Sequence, residues 1–466
     1  MPDSKFLLVN TSNHNVKKVP PPYLGFGIAG LGTGLVVQVP ILFLLVYMTD
    51  ILAIPAALAG LALFGSRVFD IITDPIMGII SDRTRTRWGR RRPYLLLGGV
   101  TVAVSLVFLF SAPVYESMYA RLAYIMGLFI VVQTGVTIFM VPYYAMPAEM
   151  TDDNYQRTKL MSTRAFFSFA GALIGGVLAP WIVINAGGGE KGYAFMSLVV
   201  AVICGCAFIA AFFGTARARF AGRDVHTIPV KQQIKVALNN RPFNIFMVSF
   251  VIYVTGMGCF AATVPYFARY TLERPEALSV VWIFILVPAI LAIPLWTMIT
   301  KTIEKKSCFI AALGMMATGS LCLFLVDAQS PLPQVWSFCV IFGLGFGGTQ
   351  VIAWSILPDV IQWDRWISGM ELGGIFSGGM IAFEKTGFAL GSLIAGAILS
   401  LFGYLESAGK EIVEQTSGAL MGIRIATDVA PAILFAIAAL IMLAYPLTHH
   451  MMTSKANAGA DSNLTA

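Results

Sequence analysis

The chain has 466 residues, 57% of them hydrophobic and 12% charged, and its mean hydropathy is +0.78. Soluble domains carry about a quarter charged residues, so the composition excludes a soluble globular protein and leaves a polytopic membrane protein. The net charge of +7 does not point to nucleic acid, because Lys and Arg gather in a few loops between apolar runs.

Residues 1–22 are polar and are not expected to form a cleaved leader. Twelve apolar runs of about 20 residues then follow, each long enough to cross a bilayer as a helix. The first six cover about 24–49, 55–80, 94–113, 121–146, 162–185 and 194–215. The second six cover about 243–268, 276–299, 308–326, 334–357, 372–402 and 428–447. The predicted fold is therefore an all-α membrane protein of twelve transmembrane helices in two pseudo-symmetric six-helix bundles. Residues 1–215 form the first bundle and 243–450 the second. A basic central loop, 216–242, joins them, and 451–466 reads as a disordered tail.

The second run is the most informative. Asp70 and Asp74 stand four residues apart in an apolar segment. Four residues is one helical turn, so both carboxylates leave the same helix face. Each costs roughly 2.5–3.5 kcal/mol at bilayer depth, and the pair also repels itself. A cation between them relieves both costs. Thr73 offers a neutral oxygen, and Gln133 and Thr137 on helix four are also one turn apart. One shared proton is the alternative chemistry. Asp70 and Asp74 are thus candidate ligands for Na⁺ if the protein is sodium-coupled.

The loop after helix two, Ser81–Pro93, contains six arginines. With the central loop and Lys301, Lys305 and Lys306, it places positive charge on even-numbered connections. Both termini are then expected to be cytoplasmic. Arg83, Asp82, Glu149 and Asp359 are candidate gating residues on that side, with Asp364 a further acid. Within the spans, Arg164 on helix five and Lys385 on helix eleven need partners or a cavity. Lys385 has two candidate partners, its neighbour Glu384 or an aspartate of helix two. Gln38, Gln133, Tyr143, Tyr144, Gln350 and Trp354 complete the polar and aromatic set able to meet a sugar ring. The patterns Gly171–Gly176 and Gly391–Gly396 put small residues where helices pack closely. The six cysteines lack ligand-like spacing, and the four histidines lie in tails or loops. No nucleophile–base set, metal-ligand set or phosphate loop suggests an enzyme.

Phe69-Asp-Ile-Ile-Thr-Asp-Pro-Ile-Met-Gly78, followed by Arg85-Thr-Arg-Trp-Gly-Arg-Arg-Arg-Pro-Tyr94, resembles the helix two signature of the glycoside–pentoside–hexuronide:cation symporters. These form the melibiose-permease-like branch of the major facilitator superfamily. Shorter likenesses follow in order: Tyr23-Leu-Gly-Phe-Gly27, Tyr47-Met-Thr-Asp50, Thr137-Ile-Phe-Met-Val-Pro-Tyr-Tyr144, Arg164-Ala-Phe-Phe167, Leu357-Pro-Asp-Val360 and Gly403-Tyr404. The resemblance implies a bacterial inner-membrane symporter that takes up a sugar, glycoside or uronide with Na⁺ or H⁺ by alternating access. It implies no cofactor beyond the coupling ion, a small-molecule substrate, no nucleic-acid partner, and a monomer in the lipid bilayer.

By the same resemblance, Asp70, Asp74 and Thr137 match cation-site residues, and Thr73 stands where the family often has Asn. Arg164 and Lys385 match basic residues near the sugar and cation sites. Tyr144 and Gln350 fall where melibiose carriers have tryptophans. The sugar-binding aspartates of those carriers have no counterpart: helix one shows Gly32, Thr33 and Gly34, and helix four Met140. Their loss, with Arg164 and Lys385 kept, makes an anionic substrate an expectation from charge alone. The alternative is a carrier of a lipid-like or drug-like solute on the same fold, such as a proton-driven exporter.

Overall fold

The computed structural model describes residues 23–113, 116–150, 154–216, 218, 239–368, 373–406, 414–448 and 451. The expected N-terminal tail therefore lies outside the described residues, as does nearly all of the central loop and the C-terminal tail. Regular structure among the described residues is helical throughout. The helices are α1 (Tyr23–Ile51), α2 (Ala56–Arg83), α3 (Arg92–Leu109), α4 (Met118–Met150), α5 (Asn154–Asn185), α6 (Gly189–Gly214), α7 (Arg241–Thr271), α8 (Ala277–Ile299), α9 (Lys305–Leu323), α10 (Leu332–Ser368), α11 (Gly373–Leu401) and α12 (Ser417–Leu443).

Among the described residues, eleven of these are apolar enough over a bilayer's depth to cross it, and α2 opens on a shorter apolar stretch, Ala56–Ser66. At 28 residues α2 is about 42 Å long, so length does not stop it from spanning. Local signals set the helix starts. The Asn240 side chain accepts from Phe243 N–H at the head of α7, beside Pro242, and Thr416 caps α12 in the same way. Pro55, in extended conformation, precedes α2.

The packing repeats. In the first group α1 packs on α5 and α6, α2 on α4, and α3 on α4 and α6. In the second group α7 packs on α11 and α12, α8 on α10, and α9 on α10 and α12. Each contact recurs with the helix number raised by six. The groups meet along α2–α11, α5–α8 and α1–α7. This is the arrangement of a carrier built from two related bundles.

The ends of α1 and α7 carry the repeat down to single hydrogen bonds. Each helix widens into a π-helical last turn, Tyr47–Ile51 and Phe267–Thr271. Leu52 N–H donates to Tyr47 O and Ile54 N–H to Met48 O; Leu272 N–H donates to Phe267 O and Arg274 N–H to Ala268 O. Ala53 (φ 51°) and Glu273 (φ 54°) take the left-handed turn in each copy, and Pro55 and Pro275 follow. π-turns of this kind are rare and cluster at functional sites.

The glycine patterns divide their work. Gly171 packs on Leu31 of α1 and Gly391 on Thr255 of α7, each inside its own group. Gly176 faces Trp282 of α8, and Gly396 faces Ala56 of α2, each across the group boundary. A Cβ on Gly396 would overlap the Ala56 carbonyl. Overpacking costs about 1–3 kcal/mol, and here it falls only on the state in which α2 and α11 touch. Gly396→Val is therefore expected to leave membrane expression intact and to cut uptake roughly tenfold or more. Normal uptake at normal expression would show that this approach is not needed in the cycle.

Candidate cation and substrate site

Three helices build a polar cluster at the middle of the bundle. Asp70 and Asp74 project from α2, as one-turn spacing requires. Asp70 is 1% exposed, and Asp74 retains 23% of its side-chain surface. From α4, Gln133 Nε2 donates to Asp70 Oδ2 at 3.0 Å, and Thr137 Oγ1 donates to Asp74 Oδ1 at 2.7 Å. The one-turn pair on α4 thus meets the one-turn pair on α2, residue for residue. From α11, in the other group, Lys385 Nζ donates to Asp74 Oδ2 at 2.5 Å and lies 3.8 Å from Asp70 Oδ2. Of the two partners open to Lys385 from sequence, the structure selects the aspartates over Glu384.

Thr73 does not join this cluster. Its hydroxyl donates back to Phe69 O at 3.2 Å, with Asp70 O at 3.5 Å. A threonine inside a span satisfies its hydroxyl most cheaply on its own preceding turn, and that direction takes it out of the carboxylate face. Three side chains from two groups meet the aspartates instead: an amide, a hydroxyl and an ammonium.

A second cluster lies beside the first. The Arg164 guanidinium of α5 sits over the Tyr144 ring of α4, 4.8 Å from its centroid, a cation–π geometry. Tyr144 O–H donates to Met140 Sδ at 3.7 Å. Glu384 of α11 lies within electrostatic range of Arg164 and Lys385. Tyr143 belongs to the packing: its hydroxyl donates to Phe26 O at 2.8 Å, and its ring stacks on Phe26. Gln38 packs against Gly175. Gln350 and Trp354 share a face of α10, half-buried and exposed respectively, and make no hydrogen bond to either cluster.

Two of the four gating candidates, Glu149 and Asp359, have partners among the described residues, each within its own group. Glu149 Oε1 accepts from Arg90 and Arg91, both at 2.5 Å, all within the first group. Asp359 accepts from Lys305 at 2.6 Å within the second. Arg83 is exposed, and the Asp82 side chain lies outside the described residues. The reason is reach. Arg90 and Arg91 immediately precede α3, which packs against α4 close to Glu149.

The opposite end of the bundle holds a closure that sequence reading did not assign. Asp50, 1% exposed, sits in the π-turn of α1. Its Oδ2 accepts from Arg269 Nη1 at 2.8 Å and from Tyr270 O–H at 3.1 Å, and its Oδ1 accepts from Tyr404 O–H at 2.5 Å. Thr49 and Tyr266 hydroxyls bond at 2.8 Å, and Ala56 N–H donates to Glu406 Oε1 at 3.2 Å. Every one of these bonds crosses between the groups. The available signals were the acid in Tyr47-Met-Thr-Asp50 and the matching Leu52-x-x-Pro55 and Leu272-x-x-Pro275 spacings.

With this geometry in place, comparison with known proteins is informative. The family model described as MFS/sugar transport protein matches residues 25–449. A putative glycoside/cation symporter of Escherichia coli is 27% identical, with 91% of each chain covered. The isoprimeverose transporter of Lactiplantibacillus pentosus is 26% identical over 86% of this chain and 84% of its own. A glucuronide carrier protein homolog of Escherichia coli is 25% identical over 91% and 92%. Among solved structures, the inward-open xylose transporter of Escherichia coli superposes with TM-score 0.61 at 16% identity, covering 91% of this chain and 96% of that one.

Proposed function

The chain belongs to the MFS/sugar transport protein family; it is a multi-pass membrane transporter rather than an enzyme, and on that premise we propose that it takes up a glycoside-type sugar together with Na⁺ or H⁺ by alternating access. Relatives named as symporters or carriers of glycosides, isoprimeverose and a glucuronide support the solute class. A relative named as an inner membrane symporter supports the bacterial inner membrane. The basic loops orient the Arg83–Arg92 end to the cytoplasm and the Asp50 end outward, with both termini inside. The working unit is a monomer.

The observation that carries the reading is the Lys385 ammonium on the Asp70–Asp74 pair. A tethered cation from the second group stands on two carboxylates of the first. A free cation competes for the same oxygens. When it binds, Lys385 leaves, the α2–α11 bond opens, and the lysine is freed from the carboxylates. A solute that contacts the released groups binds better with the cation present. That differential affinity is what coupling requires. Gln133 and Thr137 hold the carboxylates in register through the exchange. The Asp50 closure holds the outer end shut in one state and opens in the other.

Membrane vesicles carrying the protein test this with radiolabelled xylosides and glucosides under an imposed Na⁺ or H⁺ gradient. Accumulation above the external concentration under one gradient is expected. Equilibration alone under both would reduce the protein to a uniporter.

A further inference from the structure

We propose that Glu384 is the carboxylate that recognises the hydroxyls of the substrate, so that this transporter selects neutral glycosides over uronates. The inference rests on the symport reading above and deepens it. It replaces the expectation of an anionic substrate, which came from the absence of acids on helices one and four. The structure supplies an acid from α11 instead.

Lys385 fixes the rotation of α11 by reaching α2. Adjacent helix residues diverge by about 100°, so Glu384 is turned away from α2. Arg164 of α5, Tyr144 of α4 and Tyr253 of α7 lie within electrostatic range of its carboxylate. The Tyr253 hydroxyl is already engaged by Thr349 at 2.9 Å. Glu384 is half-buried and takes no hydrogen bond or ion pair within the described residues. An ionisable group at this depth without a bonded partner marks a functional site.

The chemistry of the surround defines the ligand. A carboxylate accepts and does not donate, so it calls for hydroxyl donors, and two adjacent hydroxyls satisfy both oxygens. Arg164 beside it donates to an acceptor such as a ring or hydroxyl oxygen. Tyr144 offers an aromatic edge and face for the C–H side of a pyranose. A substrate carboxylate in this place would meet Glu384 as a like charge. The fit is to an uncharged sugar with vicinal hydroxyls.

The test uses matched pairs: methyl glucoside, galactoside and xyloside against the methyl glucuronide and galacturonide. Each competes with a labelled neutral glycoside for binding to purified wild-type protein, Glu384→Gln and Glu384→Ala. Binding of Na⁺ and of protons without sugar is followed in parallel. Wild type is expected to prefer the neutral member of each pair. Glu384→Gln is expected to lose about tenfold or more of neutral-glycoside affinity while keeping uronate affinity, so the preference collapses. Folding is checked by an unchanged melting temperature and unchanged binding of the coupling cation, Na⁺ or proton. A wild type that prefers uronates or binds none of the neutral sugars would overturn the proposal, as would Glu384→Gln weakening both members equally. Absence in wild type of both a Na⁺ response and a proton response would instead sink the symport reading, whatever the sugar preference.

Discussion

Asp74→Asn is expected to abolish cation-driven accumulation and to destabilise the protein, and Asp70→Asn to abolish accumulation with less loss of stability. The asymmetry follows from the geometry. Asp74 carries the short bond to Lys385, whereas Asp70 stands farther from that ammonium. Removing one partner of a buried pair leaves the other charge uncompensated, at about 3–5 kcal/mol. Lys385 retains 17% of its side-chain surface, so its penalty falls toward the low end of that range. Adding Lys385→Met to Asp74→Asn is expected to recover much of the lost thermal stability and none of the driven uptake. Uptake driven to wild-type levels in both single variants would remove the aspartates from the coupling site. A double variant no more stable than Asp74→Asn would show that the ammonium is not what the carboxylate balances.

Arg269→Ala carries the second large effect. It takes the guanidinium away from buried Asp50. The cost of roughly 3–5 kcal/mol is felt only while α1 and α7 are closed on each other. The equilibrium then moves away from that state by roughly 100-fold or more. Leu63 lies on α2 below this closure, lining a small cavity with Pro40, Ile41, Phe129, Phe388 and Ser392. A cysteine at Leu63, in a chain whose native cysteines are replaced, is expected to be labelled from the Asp50 side much faster in Arg269→Ala than in its parent. Asp50→Asn added to Arg269→Ala is expected to slow labelling again, because the stranded charge is gone. Equal labelling in all three would show that the Asp50 cluster does not hold the outer end.

These two sites differ in how they reach the sequence. Asp70 and Asp74 announce themselves because two acids in an apolar run have a cost and a shared face. Gln133 and Thr137 repeat the spacing, and they bond one to each acid. Thr73 has the same proximity in sequence, yet its hydroxyl turns to its own helix. Sequence spacing fixes the face a residue leaves from, and competition with the local backbone decides whether it arrives.

Lys385 remained open between Glu384 and α2 because α2 and α11 meet only in the folded bundle. Asp50 was harder still. Its partners Arg269, Tyr270 and Tyr404 are scattered through the second group, and the π-turns that aim it have no residue signature of their own. Glu149 pairs with Arg90 and Arg91 of the arginine-rich loop, and Asp359 pairs with Lys305. The repeat of helix contacts, by contrast, was implicit in two matching sets of six apolar runs.

The most direct test of the account is a calorimetric titration of substrate-free protein with Na⁺ in weak buffer, with proton release read at the same time. Wild type is predicted to show one saturable event, either Na⁺ binding or, in a parallel acid titration, proton uptake at the same carboxylates, and the Asp70→Asn, Asp74→Asn double variant is predicted to show none. The same saturable event in that double variant would contradict a cation held by these two carboxylates.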